Sequence, residues 1–357
     1  MKGPFDLLRD HEQVVFGEDK ASGLRCIIAI HSTALGPALG GTRMYPYASE
    51  QDALIDVLRL SRGMSYKAAC AGLDLGGGKG VIIGDPATEK SEALLRAYGR
   101  MVESLGGRYV TACDVGTFPG DLAIVGRETR WATGAEEVLG GSGDSGKLTA
   151  YGVYLGMKAT ARQVWGTDDL SGRHIAIQGL GKVGRRLAEH VAAEDAKLTV
   201  ADVNPEATAV WASRGANVVG PDQILAVDAD ILSPNAMGNV LNEQTIPSLA
   251  VQVVCGGANN QLGTDVDAQR VADRGILYAP DYVVNSGGLI NVSDELEPGG
   301  YSPERCLKRA DRIDDTLTRI FALAKAEGVN TEIAAERVAE ERMSSVGRLR
   351  SIWLPPR

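Results

Sequence analysis

The chain of 357 residues is poor in aromatic side chains, at 5%, and holds only five cysteines and four histidines. Cys26, Cys70, Cys113, Cys255 and Cys306 are odd in number and far apart, with no Cys-x-x-Cys. That argues against a disulfide frame and for reduced thiols in a cytoplasmic setting. His11, His31, His174 and His190 form no His-Glu-x-x-His pair, so no metal site is expected. Basic charge is also short: 37 Lys and Arg against 46 Asp and Glu give a net charge of −9, with no basic block. A nucleic-acid or acidic-membrane surface is therefore not expected. No apolar run approaches the roughly 18 residues of a membrane span, and the first residues, Met1 to Asp6, lack the apolar core of an export signal. The expectation is a soluble cytoplasmic protein acting on small molecules.

What the chain has in plenty is glycine. There are 44, where average usage near 7% would give roughly 25. They follow no Gly-X-Y period, which excludes collagen, and 44% hydrophobic with 23% charged residues excludes disorder by composition. The length suggests two domains, each able to bury a core. The boundary is placed near residue 148: residues 1–148 as a first α/β domain, 149–329 as a doubly wound parallel sheet, and a C-terminal helix, about 330–357, returning to the first.

The pattern gives a buried strand at 25–31, a helix capped by Ser49 and leading to Lys67, a strand at Val81–Ile83, a helix capped by Thr88, and a strand over Arg108–Ala112. After Gly140-Gly141-Ser142-Gly143, a helix over Thr149–Trp165 precedes strands that alternate with helices, at His174–Gln178, Lys197–Asp202, Asn217–Val219, Asp230–Leu232, Val251–Cys255 and Gly275–Ala279. Alternation of that kind argues for βαβ units. The segment 303–345 reads as helical.

Gly179-Leu180-Gly181-Lys182-Val183-Gly184 follows a strand and opens a helix. In such a Gly-x-Gly-x-x-Gly the glycines serve a tight turn, a close approach to pyrophosphate and close helix packing, and the helix N-terminus faces the phosphates. Asp202 ends the next strand, where a carboxylate would take the adenine ribose hydroxyls. It would repel a 2′-phosphate, and the following Val203-Asn204 offers no arginine, so NAD is expected rather than NADP. A glycine turn with an incidental aspartate is the bland alternative.

Lys79 lies on what reads as a glycine-rich turn, Gly76 to Gly80, twelve residues after Lys67. The glycines would let backbone approach a ligand, and two ammonium groups in a poorly hydrated cleft would favour one as a neutral base. Asp114 follows a strand, where either a catalytic or a turn aspartate fits.

Gly72 to Pro86, with Leu73-x-x-Gly76-Gly77-Gly78-Lys79 and Asp85-Pro86, resembles the signature of the glutamate/leucine/phenylalanine/valine dehydrogenase superfamily. The resemblance extends through Pro37 to Arg43, Met64 to Lys67, Thr111 to Thr117, the nucleotide motif, Gly257 to Asn260 and Pro280 to Gly288. It implies oxidative deamination of an L-amino acid to a 2-oxo acid and ammonia, in a cleft between a substrate and oligomerisation domain and a Rossmann-type NAD domain. By the same resemblance Lys67 holds the substrate carboxylate, Lys79 activates water and Asp114 shuttles the amino-group proton. Gly40 and either Asn259 or Asn260 contact substrate. Arg43, Ser145, Thr149 and Asn285, with Gly179 to Gly184, Asp202, Val203, Cys255, Gly256 and Gly257, are assigned to the cofactor. A homo-oligomer built through the first domain is implied, as dimer, tetramer or octamer, together with closure about the linkers near 145–150 and 285–290.

The glutamate branch carries a lysine where this chain has Leu39 and a serine where it has Val292. An unpaired carboxylate buried there would cost several kcal/mol, so an apolar amino acid is expected, with Met64, Ala112 and Leu289 as further pocket residues. Leu289 resembles the phenylalanine branch and Ala112 the leucine branch. The runs Leu75 to Lys79 and Asn285 to Val292 together look most similar to the actinobacterial phenylalanine branch, so phenylalanine is the expected substrate, with leucine or valine as the alternative. A non-catalytic NAD-binding regulator would have lost Lys67, Lys79 or Asp114, and all three are present. A hydroxy-acid dehydrogenase would want a catalytic histidine with a carboxylate partner, and His174 and His190 read better as strand and helix surface residues.

Overall fold

The computed structural model describes residues 7, 8 and 10–347. The chain divides into two compact units, one of residues 1–143, 291–303 and 339–357 and the other of residues 144–290 and 304–338. The chain thus crosses between units after Gly143, after Ile290, after Pro303 and after Val338. Residues 291–303, included above in the expected second domain, cluster instead with the first unit.

The first unit holds a five-stranded mixed sheet in the order β1-β2-β4-β3-β5, from β1 (Gln13–Asp19), β2 (Leu24–Ser32), β3 (Ala38–Tyr45), β4 (Gly76–Ile83) and β5 (Tyr109–Cys113). β2 runs antiparallel to β1 and β4, whereas β3 is parallel to β4 and β5. Helix α1 (Glu50–Cys70) covers one face and α2 (Glu92–Glu103) the other; α3 (Pro119–Val125) follows β5. Ser49 caps α1 by accepting from Asp52 N at 3.1 Å. The cap of α2 is Ser91, which accepts from Leu94 N at 3.2 Å; Thr88 is used up in a turn made by Asp85, whose carbonyl takes Thr88 N and whose carboxylate takes Ala87 N. Two strands escape the apolar pattern. β1 is a half-exposed edge, and β3 has Gly40-Gly41 at its centre, which imitates a turn.

The glycine-rich segment 76–80 is not a turn. It is the first half of β4, buried throughout, and its glycines make room for the protein itself. A Cβ at Gly77 would collide with the Ser65 backbone of α1, and one at Gly80 with the hydroxyl of Tyr98 on the opposite face. The expected approach to a ligand is replaced by close packing of helix and sheet.

The second unit is built on a fully parallel six-stranded sheet in the order β11-β10-β9-β6-β7-β8, from β6 (His174–Gln178), β7 (Lys197–Ala201), β8 (Asn217–Val218), β9 (Ile231–Pro234), β10 (Val253–Val254) and β11 (Leu277–Tyr278). Helices α4 (Gly146–Trp165), α5 (Gly184–Ala192), α6 (Pro205–Ala212), α7 (Asp265–Asp273) and α8 (Asp281–Val284) accompany these strands. After α9 (Gly287–Ser293), the helical tail is broken into α10 (Pro303–Ala310), α11 (Arg312–Glu327) and α12 (Thr331–Gly347), the last break being made by Gly328 at φ +65°. The end of α12 is tied within the first unit by Tyr66 to Glu340 and by Arg342 to Asp74. The part of the expected return beyond residue 347 lies outside the described residues. No helix among the described residues is long and apolar enough to cross a membrane.

Candidate active site

In the first unit, strand alternation puts Leu39, Gly41 and Arg43 of β3, Lys79 of β4 and Ala112 of β5 on the face that α1 covers. Asp114 follows β5 directly on the same side. Lys79 Nζ donates to Asp114 Oδ2 at 2.6 Å. The lysine side chain is 8% exposed and the aspartate 21%. Arg43 Nε also donates to Asp114 Oδ2, at 3.3 Å, while its Nη1 donates to Asp56 Oδ2 at 2.9 Å and Tyr47 donates to the same Asp56 oxygen at 2.7 Å. Burial disfavours the charged form of Asp114, but the charges of Lys79 and Arg43 outweigh it, so the carboxyl is held below the usual carboxylate range. Both donors share one oxygen. The Val115 backbone N–H also favours the charged form of this carboxylate.

Leu39 is 1% and Ala112 6% exposed, and Met64 and Lys67 follow one another by a helical turn near the end of α1. Gly40 lies tight against β4 with Met64 beside it, and its carbonyl accepts from Tyr109 OH at 2.7 Å. Val292 packs near Gly134, which in turn lies beside Cys113 at the end of β5. The first unit therefore assembles Lys79, Asp114, Leu39, Ala112, Gly40 and Val292 around one end of its sheet. Arg43, assigned above to the cofactor, has its guanidinium engaged by Asp114 and Asp56. Asp56 and Tyr47 were not singled out by motif, since nothing local marks a helix aspartate as the partner of a strand arginine.

The second unit assembles the nucleotide residues. Gly179 takes φ +88°, and a Cβ at Gly181 would meet nothing within 4 Å, so the turn presents open backbone ahead of α5. Asp202 accepts from Leu180 N at 2.5 Å and from Asn204 N at 2.8 Å, fixing the turn to the end of β7. Lys182 and Val203 are exposed. Ser145 O accepts from Thr149 Oγ1 at 3.0 Å, and Gly288 lies against that threonine hydroxyl. Asn285 Nδ2 donates to Asn259 Oδ1 at 2.8 Å and to Gly257 O at 3.3 Å. Its Oδ1, although buried, has no hydrogen-bond partner among the described residues, as a group awaiting a donor would. Asn260 instead takes φ +52° and receives Asn239 N on its carbonyl. Cys255 departs from its assignment: its thiol turns inward and packs against Val153 and Gly156 of α4, leaving only its backbone to a ligand. Gly256 packs against Pro234, while Gly257 N donates to Asn235 Oδ1 at 2.9 Å. The open turn, the helix N-terminus, the strand-end carboxylate and the unpartnered Asn285 oxygen fit a dinucleotide. No group of three His, Cys, Asp or Glu among the described residues is placed to hold a metal ion.

Residues 11–131 match the family model described as the Glu/Leu/Phe/Val dehydrogenase dimerisation domain, and residues 140–215 and 206–302 match the Glutamate/Leucine/Phenylalanine/Valine dehydrogenase model. Valine dehydrogenase of Streptomyces coelicolor is 55% identical over 338 residues, covering 94% of this chain and 92% of that protein. Leucine dehydrogenase of Bacillus cereus is 52% identical over 346 residues, covering 97% and 94%. Among solved structures, L-tryptophan dehydrogenase from Nostoc punctiforme superposes with a TM-score of 0.86 at 45% identity, covering 96% of this chain and 99% of that one. With matches of this extent over both units, the chain belongs to the Glu/Leu/Phe/Val dehydrogenase family and is an amino-acid dehydrogenase.

Proposed function

We propose that the protein catalyses the reversible, NAD-dependent oxidative deamination of branched-chain aliphatic L-amino acids, of the valine and leucine type, to 2-oxo acids, ammonia and NADH. The observation that carries this reading is the Lys79–Asp114 pair at 2.6 Å, set on the same sheet face as Leu39 and Ala112. The pair supplies acid–base groups, and the apolar neighbours offer a side-chain carboxylate no partner. The choice of aliphatic over aromatic substrate follows Ala112 and the likeness to valine and leucine dehydrogenases at 50–55% identity. Phenylalanine, the substrate expected from the sequence, keeps Leu289 in its favour and is the second reading.

In this reaction Lys67 neutralises the substrate carboxylate. Asp114 Oδ1 takes a proton from the substrate ammonium, leaving a neutral amine whose lone pair assists loss of hydride from Cα. Bound NAD⁺ supplies the hydride acceptor. Lys79, once it has given up its own proton, orients the water and takes its proton as the oxygen adds to the iminium carbon; Asp114 returns its proton to the nitrogen, and its carboxylate then takes the hydroxyl proton as the carbonyl forms and the C–N bond breaks with ammonia leaving. Buried beside Asp114, Lys79 can pass protons without exchanging with bulk water, which is general acid–base catalysis with pre-set geometry. Ser145, Thr149, Asn285 and the 179–184 turn would hold the dinucleotide, with Asp202 selecting a free 2′-hydroxyl. A homo-oligomer formed through the first unit is part of the proposal, supported by the dimerisation-domain match.

The test is a substrate panel of L-valine, L-leucine, L-phenylalanine and L-glutamate with NAD⁺ and NADP⁺, followed by absorbance of the reduced cofactor. A larger kcat/KM for phenylalanine than for valine and leucine would replace the substrate assignment, and preference for NADP⁺ would overturn the cofactor assignment. Light scattering of the purified protein reads the subunit number.

A further inference from the structure

Asp114 is gripped at two ends. Its carboxylate is held through Oδ2 by Lys79 and Arg43. Its backbone is held by a residue that the catalytic scheme does not use: Asp114 N donates to Thr117 Oγ1 at 3.0 Å. The threonine hydroxyl has one proton to give, and its nearer acceptor is Thr42 O on β3, at 2.7 Å, with Asp114 O at 3.2 Å. Thr117 is 4% exposed.

Thr42 is itself fixed from below. Its Oγ1 lies 2.5 Å from Tyr98 OH and 2.6 Å from Thr111 Oγ1, and Thr42 and Thr111 are at most 1% exposed. Tyr109, in the same layer, donates to Gly40 O. This hydroxyl layer lies on the sheet face opposite Lys79. Through Thr117, the amide of the residue expected to move protons is tied to a buried, hydrogen-bonded layer of the first unit.

The turn does not need this hydroxyl in order to form. Thr117 N donates to Asp114 O at 3.0 Å, Met44 N donates to Val115 O at 2.9 Å, and Gly116 supplies φ +78° at the third turn position. Those bonds hold the chain reversal, and the hydroxyl adds a fixed position for the Asp114 amide. We propose that Thr117 is a positioning residue for Asp114, setting where Oδ1 stands while Lys79 and Arg43 hold Oδ2. The proposal rests on the deamination reading above.

The experiment compares Thr117→Val, which keeps the shape and removes the hydroxyl, with Thr117→Ser, which keeps the hydroxyl. L-Valine and L-leucine oxidation is measured by initial rates, with NADH binding by fluorescence and thermal unfolding alongside. The expected result for Thr117→Val is a fall in kcat of about ten- to a hundredfold, the scale of a misplaced catalytic group. KM for the amino acid should stay within about twofold and NADH affinity unchanged, because uniform binding is not what is lost. Thr117→Ser should recover kcat to within about threefold of the starting enzyme, because the hydroxyl is restored. Wild-type kcat in Thr117→Val, a rise in KM with kcat kept, or equal damage in the serine variant would overturn the proposal. Should Thr117→Val not fold, Thr117→Ala takes its place, and failure of both to fold would show a purely structural hydroxyl and overturn it equally. A wild-type enzyme that oxidises none of the panel amino acids would remove the deamination reading itself, an outcome read before any variant is made.

Discussion

The two units use glycine in opposite ways. In β4 of the first unit the glycines are filled in by the protein: Ser65 occupies the space beside Gly77, Tyr109 that beside Gly78, and Tyr98 that beside Gly80. In the turn before α5 of the second unit, Gly181 has nothing within 4 Å and Gly179 uses a left-handed φ. The first set lets the strand that carries Lys79 fit between a helix on one face and a hydroxyl layer on the other. The second leaves open space over the turn at Gly181. An excess of glycine in a composition therefore says that close approaches exist, and only the structure says whether a protein group or a ligand makes them.

The largest effect on this contrast should come from Lys79, for which the β4 glycines make room. Lys79→Ala is expected to lower kcat by about a thousandfold, within the range for loss of a general acid–base group, while NADH affinity, proposed to belong to the second unit, stays unchanged. Stopped-flow or fluorescence titration separates the two readouts. Near-normal turnover would remove Lys79 from the mechanism.

A pair of substitutions sets the two kinds of glycine against one another. Gly77→Ala places a methyl group into the backbone of α1 at Ser65, with Ser61 O also close, and overpacking of that kind costs about 3 kcal/mol or more where backbone must shift. Gly181→Ala should leave stability within about 0.5 kcal/mol, as for a surface change. Its effect should appear in NADH binding, weakened about tenfold by a methyl where the pyrophosphate approaches. Denaturant unfolding and NADH titration on both variants give four values. Equal stability loss in the two would end the distinction.

The first unit also carries a buried histidine, and the sign of its pH dependence follows from its environment. His31 is 7% exposed, its Nδ1 is 2.8 Å from Ser65 Oγ, and its ring lies edge-on to His11 at 4.9 Å. Burial first, then the neighbouring His11 and Arg62 charges, lower its pKa from 6.5 to about 4. The unfolded chain binds this proton between pH 6.5 and about 4 and the folded chain does not, so the contribution is complete above pH 6.5 and is lost as pH falls through that window. The size is on the order of 3 kcal/mol. Unfolding free energies at pH 7, 5.5 and 4.5 should show the decline in the starting protein and a shallower one in His31→Asn. A parallel decline in both would assign the acid sensitivity elsewhere.

How much of this could be read without coordinates differs between the units for a physical reason. The strand at His174–Gln178, its glycine turn and the following helix are consecutive in the chain, and local rules suffice for them. The Lys79–Asp114 pair depends on β3 lying between β4 and β5, which no local spacing encodes, and on recognising β3, whose central glycines look like a turn. Resemblance to a family supplied those residues and a motif that ends at Thr117 without a role for it, while their neighbours Asp56 and Tyr47 were out of reach of pattern reading. Thr117 alone left a trace, as the fourth residue of Asp-Val-Gly-Thr, where glycine at the third position marks a type II turn.

The smallest expected effect tests the open turn from its other side. Asp202 uses both oxygens, one on Leu180 N and one on Asn204 N, so it shapes the turn as well as carrying the charge proposed to face the ribose. Asp202→Asn removes the charge and keeps one acceptor. A 2′-phosphate is then no longer repelled, and discrimination between NAD⁺ and NADP⁺ in kcat/KM should fall about tenfold, equivalent to about 1.4 kcal/mol. Because Leu180 N can still be accepted by the amide oxygen, NAD⁺ binding should weaken less than the discrimination does. If instead both cofactors weaken together with the ratio preserved, Asp202 acts only by holding the turn, and the cofactor preference proposed here has another origin.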